Sequence, residues 1–395
     1  MLVRISEYTL EELICIAMSR TEDTVLRAQM RELLEKGGAE HALELVPDEA
    51  EFKSFIRNLG EQGIVVVTQK SANYPQRLLR LDVPPIALYC RGNLELLARP
   101  MVAMVGTRDC TEYGATAARQ FAAEFARRGL VVISGLADGI DTASHLGVFD
   151  SVGGLKGVNS AIFSGGMSDI PQDIVPTIGV LGNGLNVFYP KGNRDLQKEM
   201  FERALVISEY VPNGPTTKYT FPWRNRIVAV LAQAVVIVEA DIKSGTMITA
   251  TWAGDLGVDV YAIPGLITSQ VSRGTHHLIR DGATLATCAK DVLDGSFGGL
   301  AQWVTNDDVG GEVGKSNVGD AGMNSGVVGK PVAARLLQLG FEENIVVGLV
   351  KKGEVHFDDL VSALGTKPSK VNTLLVNMEL AGLIRKLPGN LYFRG

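Results

Sequence analysis

The stretch Val102-Ala103-Met104-Val105 is fully apolar and runs straight into Gly106-Thr107-Arg108, a glycine-marked turn that precedes a segment with helical spacing. Other apolar runs of strand length show the same order of run, polar or glycine-containing loop, and helical segment. These runs are Leu130 to Ile133, Thr177 to Leu181, Ala204 to Ile207, Val235 to Val238 and Val258 to Ile263. Apolar strands that alternate with helices are typical of a parallel sheet with helices on both faces. The sequence therefore predicts an α/β protein with a Rossmann-like, doubly wound, mostly parallel sheet.

The composition suits a soluble α/β protein with more than one domain, because the chain has 395 residues, of which 46% are hydrophobic and 6% aromatic. The formal net charge of -6, from 38 Lys and Arg against 44 Asp and Glu, provides no bulk attraction to nucleic acid. Any polyanion must therefore meet a local basic pocket. The four cysteines include no C-x-x-C pair, so neither a disulfide framework nor a zinc site is expected.

Nothing in the sequence predicts export or membrane insertion. The first residues, Met1 to Glu7, lack the long apolar run of a signal peptide. The most apolar internal stretch, Ile227 to Val238, is interrupted by Gln233 and is too short to span a bilayer. We therefore expect a cytoplasmic protein with no membrane partner.

The pattern divides the chain into several parts. Residues 1–61 carry apolar positions at helical spacing, as in Thr9 to Ala17, and predict a small helical module of the SAM-like type. Residues 62–297 form the Rossmann-like core, in which residues 151–176, rich in Gly, Ser, Asn and Asp, predict an inserted surface loop. Residues 298–329 predict a flexible linker to a last domain.

In residues 330–395, three helices precede a hairpin, which is the order of a winged-helix domain. The helices are predicted over Glu342 to Lys351, Phe357 to Leu364 and Ser369 to Ala381. A third helix that reads DNA would carry several Lys, Arg, Asn or Gln residues on its outer face. This helix offers mainly Lys370, Asn372 and Asn377, which favours protein contact or packing over sequence-specific DNA binding.

Ligands of open α/β sheets bind beyond the carboxyl ends of the strands. After the first run, Gly106 lets the backbone approach an anion, with Thr107 and Arg108 beside it. Free N–H groups at the start of the following helix also attract an anion. After the second run, Gly135 marks another turn, and Asp141 is expected to cap the helix or to orient Arg108. These loops predict an anion pocket at this edge of the sheet.

Two further loops end strands. The loop from Gly182 to Lys191 begins like a dinucleotide fingerprint, but Val187 stands where the third glycine belongs, so no dinucleotide is expected. Lys191 remains a candidate phosphate contact. The stretch Lys243-Ser244-Gly245 precedes a helix and suits an anion, but it lacks the spacing of a Walker A loop, so NTP hydrolysis is not expected.

No catalytic, cofactor or metal site is expected. His145, His276 and His277 have no Ser or Cys nucleophile that the sequence places around them, and there is no H-E-x-x-H pair. The chain is therefore predicted not to be an enzyme.

The motif Phe221-Pro222-Trp223-Arg224-Asn225-Arg226 combines guanidinium groups, an amide and aromatic rings. Arg presents a planar fork of donors to a phosphate, and Phe or Trp offers a face to an unpaired base. This combination is typical of a contact with single-stranded nucleic acid. The alternative is an Arg pair held by neighbouring carboxylates, and the motif alone leaves both open.

Together these motifs resemble the DNA-processing protein A family, also called DprA or Smf. The resemblance is carried by Met104 to Arg108, Ser134 to Asp141, Phe221 to Arg226, Lys243 to Thr246, Pro264-Gly265, Gly274-Thr275 and Leu278 to Ala283. It implies a non-catalytic bacterial protein of natural transformation that binds and protects incoming single-stranded DNA and helps to load the recombinase RecA. It also implies an extended Rossmann-like core that forms a homodimer.

The family's basic DNA pocket carries over to this chain motif by motif. The implied DNA-binding residues are Arg108, Lys191, Phe221, Arg224, Asn225 and Arg226, with Lys218 and Lys243 added by position and charge. One departure lies inside this set, because Asp138 stands where the family usually has Arg, and a carboxylate there would repel phosphate unless it pairs with a neighbouring Arg. Further departures are His276 in place of Asn and the 151–176 insertion.

The main alternative is an enzyme, a nucleotide (phosphoribo)hydrolase of the lysine-decarboxylase-like group. Its hallmark is a Pro-Gly-Gly turn followed by Gly-Thr and a catalytic Glu. The corresponding stretch, Glu239 to Met247, has Gly245-Thr246 but neither the Pro-Gly-Gly nor the Glu. A transcription regulator that reads duplex DNA with its winged helix is a third reading.

Overall fold

The computed structural model describes residues 7–155, 174–217, 219–298, 346, 355–364, 371, 374–375, 384–387 and 391–394. The strands are β1 Val65–Thr68, β2 Ala87–Gly92, β3 Met101–Val105, β4 Val131–Ser134, β5 Thr177–Leu181, β6 Leu205–Ser208, β7 Ala234–Ile237, β8 Asp259–Ala262, β9 Thr284–Leu285, β10 Val355–His356, β11 Ile384–Leu387 and β12 Leu391–Arg394. The helices are α1 Leu10–Arg20, α2 Thr24–Glu35, α3 Ala39–Glu44, α4 Glu49–Glu61, α5 Glu112–Arg127, α6 Ile140–Ser151, α7 Arg194–Arg203, α8 Thr220–Leu231, α9 Thr246–Asp255, α10 Arg273–Arg280, α11 Ala289–Ser296 and α12 Phe357–Leu364.

Within these residues the central sheet has the strand order β1-β2-β6-β5-β4-β3-β7-β8-β9. Strands β3 to β9 pair in parallel, whereas β2 lies antiparallel to β6, and β1 antiparallel to β2. The chain moves outward from β3 to β6 and then returns to the other side of β3 at β7. This confirms the doubly wound, mostly parallel sheet and places its switch point between β3 and β7.

Alternate residues of β3 belong to two different cores, as the period of a strand requires. Val102 and Met104 pack in the cluster that contains Phe121 of α5 and Phe149 of α6. The intervening Ala103 packs in the cluster that contains the apolar side of α8 and α9. The predicted apolar run of β3 is therefore a strand buried on both faces, whereas β8 begins with the exposed Asp259.

The N-terminal helices pack directly on the β1–β2 end of the sheet. A reciprocal cap starts α1, because Glu12 Oε2 accepts from the Thr9 N–H at 2.8 Å and Thr9 Oγ1 accepts from the Glu12 N–H at 3.2 Å. The hydroxyl of Ser19 lies 2.7 Å from that of Tyr89 in β2. Ile14 and Ile16 belong to the same hydrophobic cluster as Val66 of β1. The N-terminal region is helical, as the sequence predicts, but the hydrophobic core of its helices is continuous with that of the sheet.

The C-terminal elements form a smaller antiparallel sheet, in the order β10-β12-β11, with α12 leading out of β10. The helix at Phe357–Leu364 and the β11–β12 hairpin agree with the sequence prediction. The other two predicted helices and the linker lie largely outside the described residues, as does most of the predicted 151–176 loop. In the described part of the chain, no helix combines the length and apolarity needed to cross a bilayer.

Candidate nucleic-acid interface

The loops that follow β3 and β4 touch each other at the carboxyl edge of the sheet. The Ile140 N–H donates to Thr107 O at 3.2 Å, at the start of α6. Gly139 has a φ of 77°, and a Cβ there would lie 2.3 Å from Thr107 O. Only glycine fits this approach without a shift of the backbone. The contact holds Arg108 and Asp138 on adjacent loops.

These loops, together with the one after β5, line a shallow depression. Its wall includes Arg108, Gly135, Asp138, Gly182, Tyr189 and Phe221. The sequence predictions for Arg108, Gly135, Gly182 and Phe221 are thus brought together at one place. Gly106 and Thr107 precede Arg108 in the same loop but do not line the depression.

Two aromatic rings and a guanidinium group form one face of the depression. The Tyr189 and Phe221 rings have centroids 5.2 Å apart at an interplanar angle of 36°. The guanidinium carbon of Arg108 lies 5.2 Å from the Phe221 centroid, within cation–π range. Phe221 packs on Gly182, where a Cβ would come within 2.8 Å of its ring. The surface therefore offers a cation beside exposed aromatic area.

Tyr189 is 41% exposed and was missed by the sequence analysis. The signal was present, because Tyr189 stands two positions before the candidate Lys191, in the loop after β5. Lys191 itself is exposed and begins a short 3-10 helix just past the depression. An exposed aromatic side chain beside a cation has a face on which an unpaired base can stack.

Arg224 and Arg226 require a correction, because both were expected to face DNA. Their exposed fractions are 3% and 2%, so in this structure neither guanidinium reaches a phosphate at the surface. The alternative, an Arg pair held by neighbouring carboxylates, describes Arg226, which pairs with Glu209. Arg224 bonds instead to backbone carbonyls. Asn225 lies half-buried between them, and its Oδ1 accepts from Arg224 Nε at 3.0 Å.

Arg224 links the loop after β4 to strand β5. Its Nη1 donates to Gly135 O at 2.5 Å and also to Val180 O. Asp141 lies beside it and accepts from the Gly135 and Ala137 N–H groups at 3.1 and 3.4 Å. Asp141 therefore orients the loop through Gly135 and not through Arg108. A Cβ on Gly135 would meet both the Arg224 and Asp141 side chains, which explains the glycine.

Burial dominates the titration of Arg224 and Asp141, two opposite charges that both lie beside Gly135. It lowers the pKa of the Arg224 guanidinium to about 10, with Asp141 opposing the decrease. It raises the pKa of the Asp141 carboxyl, with Arg224 and the backbone N–H groups opposing the increase. Because an unpaired charge would be costly here, each group depends on the other.

The loop that these groups support is strained. Leu136 has a φ of 55°, a left-handed conformation that costs about 1 to 3 kcal/mol for a residue other than glycine. Asn193 Nδ2 donates to Leu136 O at 3.0 Å and to Ala137 O at 3.3 Å. The surrounding side chains thus fix the loop in the conformation that shapes the depression.

Arg226 forms a second buried pair, with Glu209 at the end of β6. Its Nη2 donates to Glu209 Oε2, and its guanidinium carbon lies 4.3 Å from the Trp223 ring centroid. Burial raises the pKa of the Glu209 carboxyl, and Arg226 opposes this increase. Arg226 therefore fastens α8 to β6.

The remaining candidates lie elsewhere. Lys243 is exposed in the loop after β7, on the far side of β3 from the β5 loop, and does not line the depression. Ser244 Oγ accepts from the N–H of Thr246, the first residue of α9, at 2.9 Å. Gly245 is exposed in the same turn. Lys218 lies outside the described residues.

The chain's own carboxylate fills the crevice at the switch point. Glu239, which follows β7, is 2% exposed and accepts from the Thr111 N–H at 2.9 Å and the Thr111 hydroxyl at 2.6 Å. Thr111 is the N-cap of α5. The carboxylate thus occupies the helix N-terminus where related folds hold a nucleotide phosphate. This arrangement does not favour the nucleotide hydrolase.

Gly114→Ala is expected to lower the free energy of unfolding by about 1 to 3 kcal/mol, the range for overpacking a filled site. A Cβ there would lie 2.2 Å from Glu239 Oε2, and Glu239 cannot retreat without breaking its bonds to Thr111. The matched control is Gly254→Ala in α9, where a Cβ meets nothing within 4 Å. Urea unfolding should show a stabilisation of about 0.5 to 1 kcal/mol for this control. Equal effects of the two changes would contradict the proposed filling.

A family model described as DNA recombination-mediator protein A matches residues 65–296 of this chain. The chain belongs to the DNA recombination-mediator protein A family. A second model, the DprA winged helix domain, matches residues 332–390, so this family member also carries a winged-helix domain at its C-terminal end.

Individual proteins that resemble this family member carry the same family name. The DNA processing protein DprA of Streptococcus pneumoniae is 42% identical over 220 residues, covering 56% of this chain and 70% of that protein. The putative DNA processing protein DprA of Mycobacterium tuberculosis is 30% identical over 383 residues, covering 93% and 86%. The X-ray structure of the S. pneumoniae protein superposes with a TM-score of 0.57 at 34% identity, covering 73% of this chain and 98% of that one.

Proposed function

We propose that this protein binds single-stranded DNA, with little dependence on sequence, in the depression between Arg108, Tyr189 and Phe221. It protects incoming DNA and passes it to the RecA recombinase during recombination. It acts as a cytoplasmic homodimer and without catalysis. The family description as a DNA recombination mediator supports the pathway.

The observation that carries the proposal is the exposed guanidinium of Arg108 beside the Tyr189–Phe221 pair. Among the residues that the structure describes, no carboxylate forms an ion pair with Arg108, so its donors are available to a phosphate. The rings offer a face to a base, and such stacking contributes about 1 to 3 kcal/mol per base. Because every base has a face, this contact tolerates many sequences. Paired bases hide their faces, so the depression suits a single strand.

Arg108→Ala is expected to weaken binding of a thymine oligonucleotide about 10- to 100-fold, because a hydrogen bond to a charged group contributes about 1.5 to 3 kcal/mol. It should also reduce the slope of log affinity against log salt by about 0.7, the value for one phosphate contact on a single strand. Fluorescence anisotropy titrations at several salt concentrations measure both quantities. Duplex of the same length should bind the unchanged protein more weakly than the single strand.

The control is Lys53→Ala, which removes the same charge from α4, where Lys53 pairs with Glu49 at 2.5 Å. Affinity and salt slope should stay as in the unchanged protein. If the two substitutions weakened binding equally, the effect would come from net charge and not from this depression.

A further inference from the structure

Asp138 places a carboxylate on the wall of the same depression, where a phosphate-binding site would exclude one. It is exposed and neighbours Gly139, whose contact with Thr107 O fixes the loop beside that of Arg108. No residue that the structure describes forms a hydrogen bond or an ion pair with Asp138. Its two oxygens are therefore free to accept hydrogen bonds from a ligand.

A DNA strand offers the Asp138 carboxylate one class of hydrogen-bond donor. An ionised carboxylate only accepts hydrogen bonds. The phosphates and deoxyriboses within a DNA strand carry acceptors and no donors, so the donors are the N–H groups of the bases. In a single strand these lie on exposed Watson–Crick edges that proteins read by hydrogen bonding. Asp138 can therefore bind a base edge and repels the backbone.

We propose that Asp138 makes this depression select guanine at one position of the bound strand, an inference that rests on the proposed single-strand binding. A base stacked on the exposed face of Tyr189 presents its edge to the wall that carries Asp138. Guanine offers two adjacent donors, N1–H and N2–H, which match both oxygens of one carboxylate as a guanidinium fork does. Thymine offers a single donor, N3–H, flanked by two acceptors that repel the carboxylate. Arg108 holds the neighbouring phosphate.

The test compares full-length protein with a thymine-only oligonucleotide, the same oligonucleotide with interspersed guanines, and a third with hypoxanthine in place of guanine. Binding of the guanine strand should be about 5- to 10-fold tighter than that of the thymine strand, at the low end of the discrimination by a bidentate pair because the site is open. Hypoxanthine stacks similarly but lacks the N2 amine, so its affinity should fall between the two.

Asp138→Asn should bring the guanine-to-thymine ratio close to one while thymine binding stays the same or strengthens, because the repulsion of phosphate is gone. The control is Asp109→Asn, which removes the same charge beside Arg108 but does not line the depression. It should leave the ratio unchanged. Equal strengthening of both strands by Asp138→Asn, a ratio of one in the unchanged protein, or loss of the ratio in the control would each overturn the inference. Failure of the unchanged protein to bind any strand would instead overturn the proposed function.

Discussion

Arg224→Met is expected to lower the free energy of unfolding by about 3 to 5 kcal/mol, the range for leaving a buried charge without the opposite charge that compensates it. The substitution leaves the Asp141 carboxylate buried without a counter-charge and leaves the Gly135 and Val180 carbonyls without their donor. Urea unfolding monitored by circular dichroism measures the loss. Since Arg224 supports the β4 loop, affinity for single-stranded DNA should fall as well, but the salt slope should stay unchanged because no phosphate contact is lost.

Two further variants separate the loss of the opposite charge from the loss of the hydrogen bonds. Asp141→Asn combined with Arg224→Met should be less destabilised than the sum of the single changes, because the double change leaves no unpaired charge. Arg224→Lys keeps the charge, but a single ammonium cannot replace both the Nη1 contacts with the two carbonyls and the Nε contact with Asn225, so its loss should be intermediate. Unchanged stability together with a lower salt slope in Arg224→Met would show that Arg224 binds phosphate, as the motif first suggested.

The sequence predicted the main strands of the sheet because burial on both faces leaves an unbroken apolar run. Strand β9 was missed for the opposite reason, since both of its residues are exposed and nothing imposes a pattern on them. Strand β2 was missed because it is antiparallel and leads into no α-helix, so it does not show the strand–loop–helix order. The hydrophobic pattern of a segment therefore indicates whether the segment is buried, and it does not indicate whether the segment pairs with another strand.

The structure brings some of the predicted site residues together, but the sequence did not show the direction in which their side chains point. The glycine-marked loops identified the carboxyl edge, and Arg108 and Phe221 do meet there. The motif from Phe221 to Arg226 could not show which way each guanidinium points, because its partners come from distant parts of the chain. Glu209, for example, lies on another element and meets Arg226 only in the folded sheet. A motif supplies chemical groups, and tertiary structure decides what each group binds.

Arg226→Met should also lower the free energy of unfolding by about 3 to 5 kcal/mol at neutral pH, because it leaves Glu209 ionised and unpaired in the interior. Within the described structure, Glu209 Oε1 has no hydrogen-bond partner, so the contact of Oε2 with Arg226 is the one that compensates the buried charge. Lost packing of the guanidinium on Trp223 adds to the effect. The salt slope of DNA binding should stay unchanged here too.

The pH dependence of this loss identifies its cause. Burial already raises the pKa of Glu209, and removal of Arg226 takes away the charge that opposes the increase. A carboxyl group whose pKa is raised on folding contributes its stability below the unfolded value of about 4.3, and this stability is lost as pH rises through the folded pKa. The difference between Arg226→Met and the unchanged protein should therefore be smallest near that pH and should grow toward neutrality. In a background of Glu209→Gln, which cannot ionise, the same difference should not vary with pH, and a variation that persisted there would assign the effect to another group.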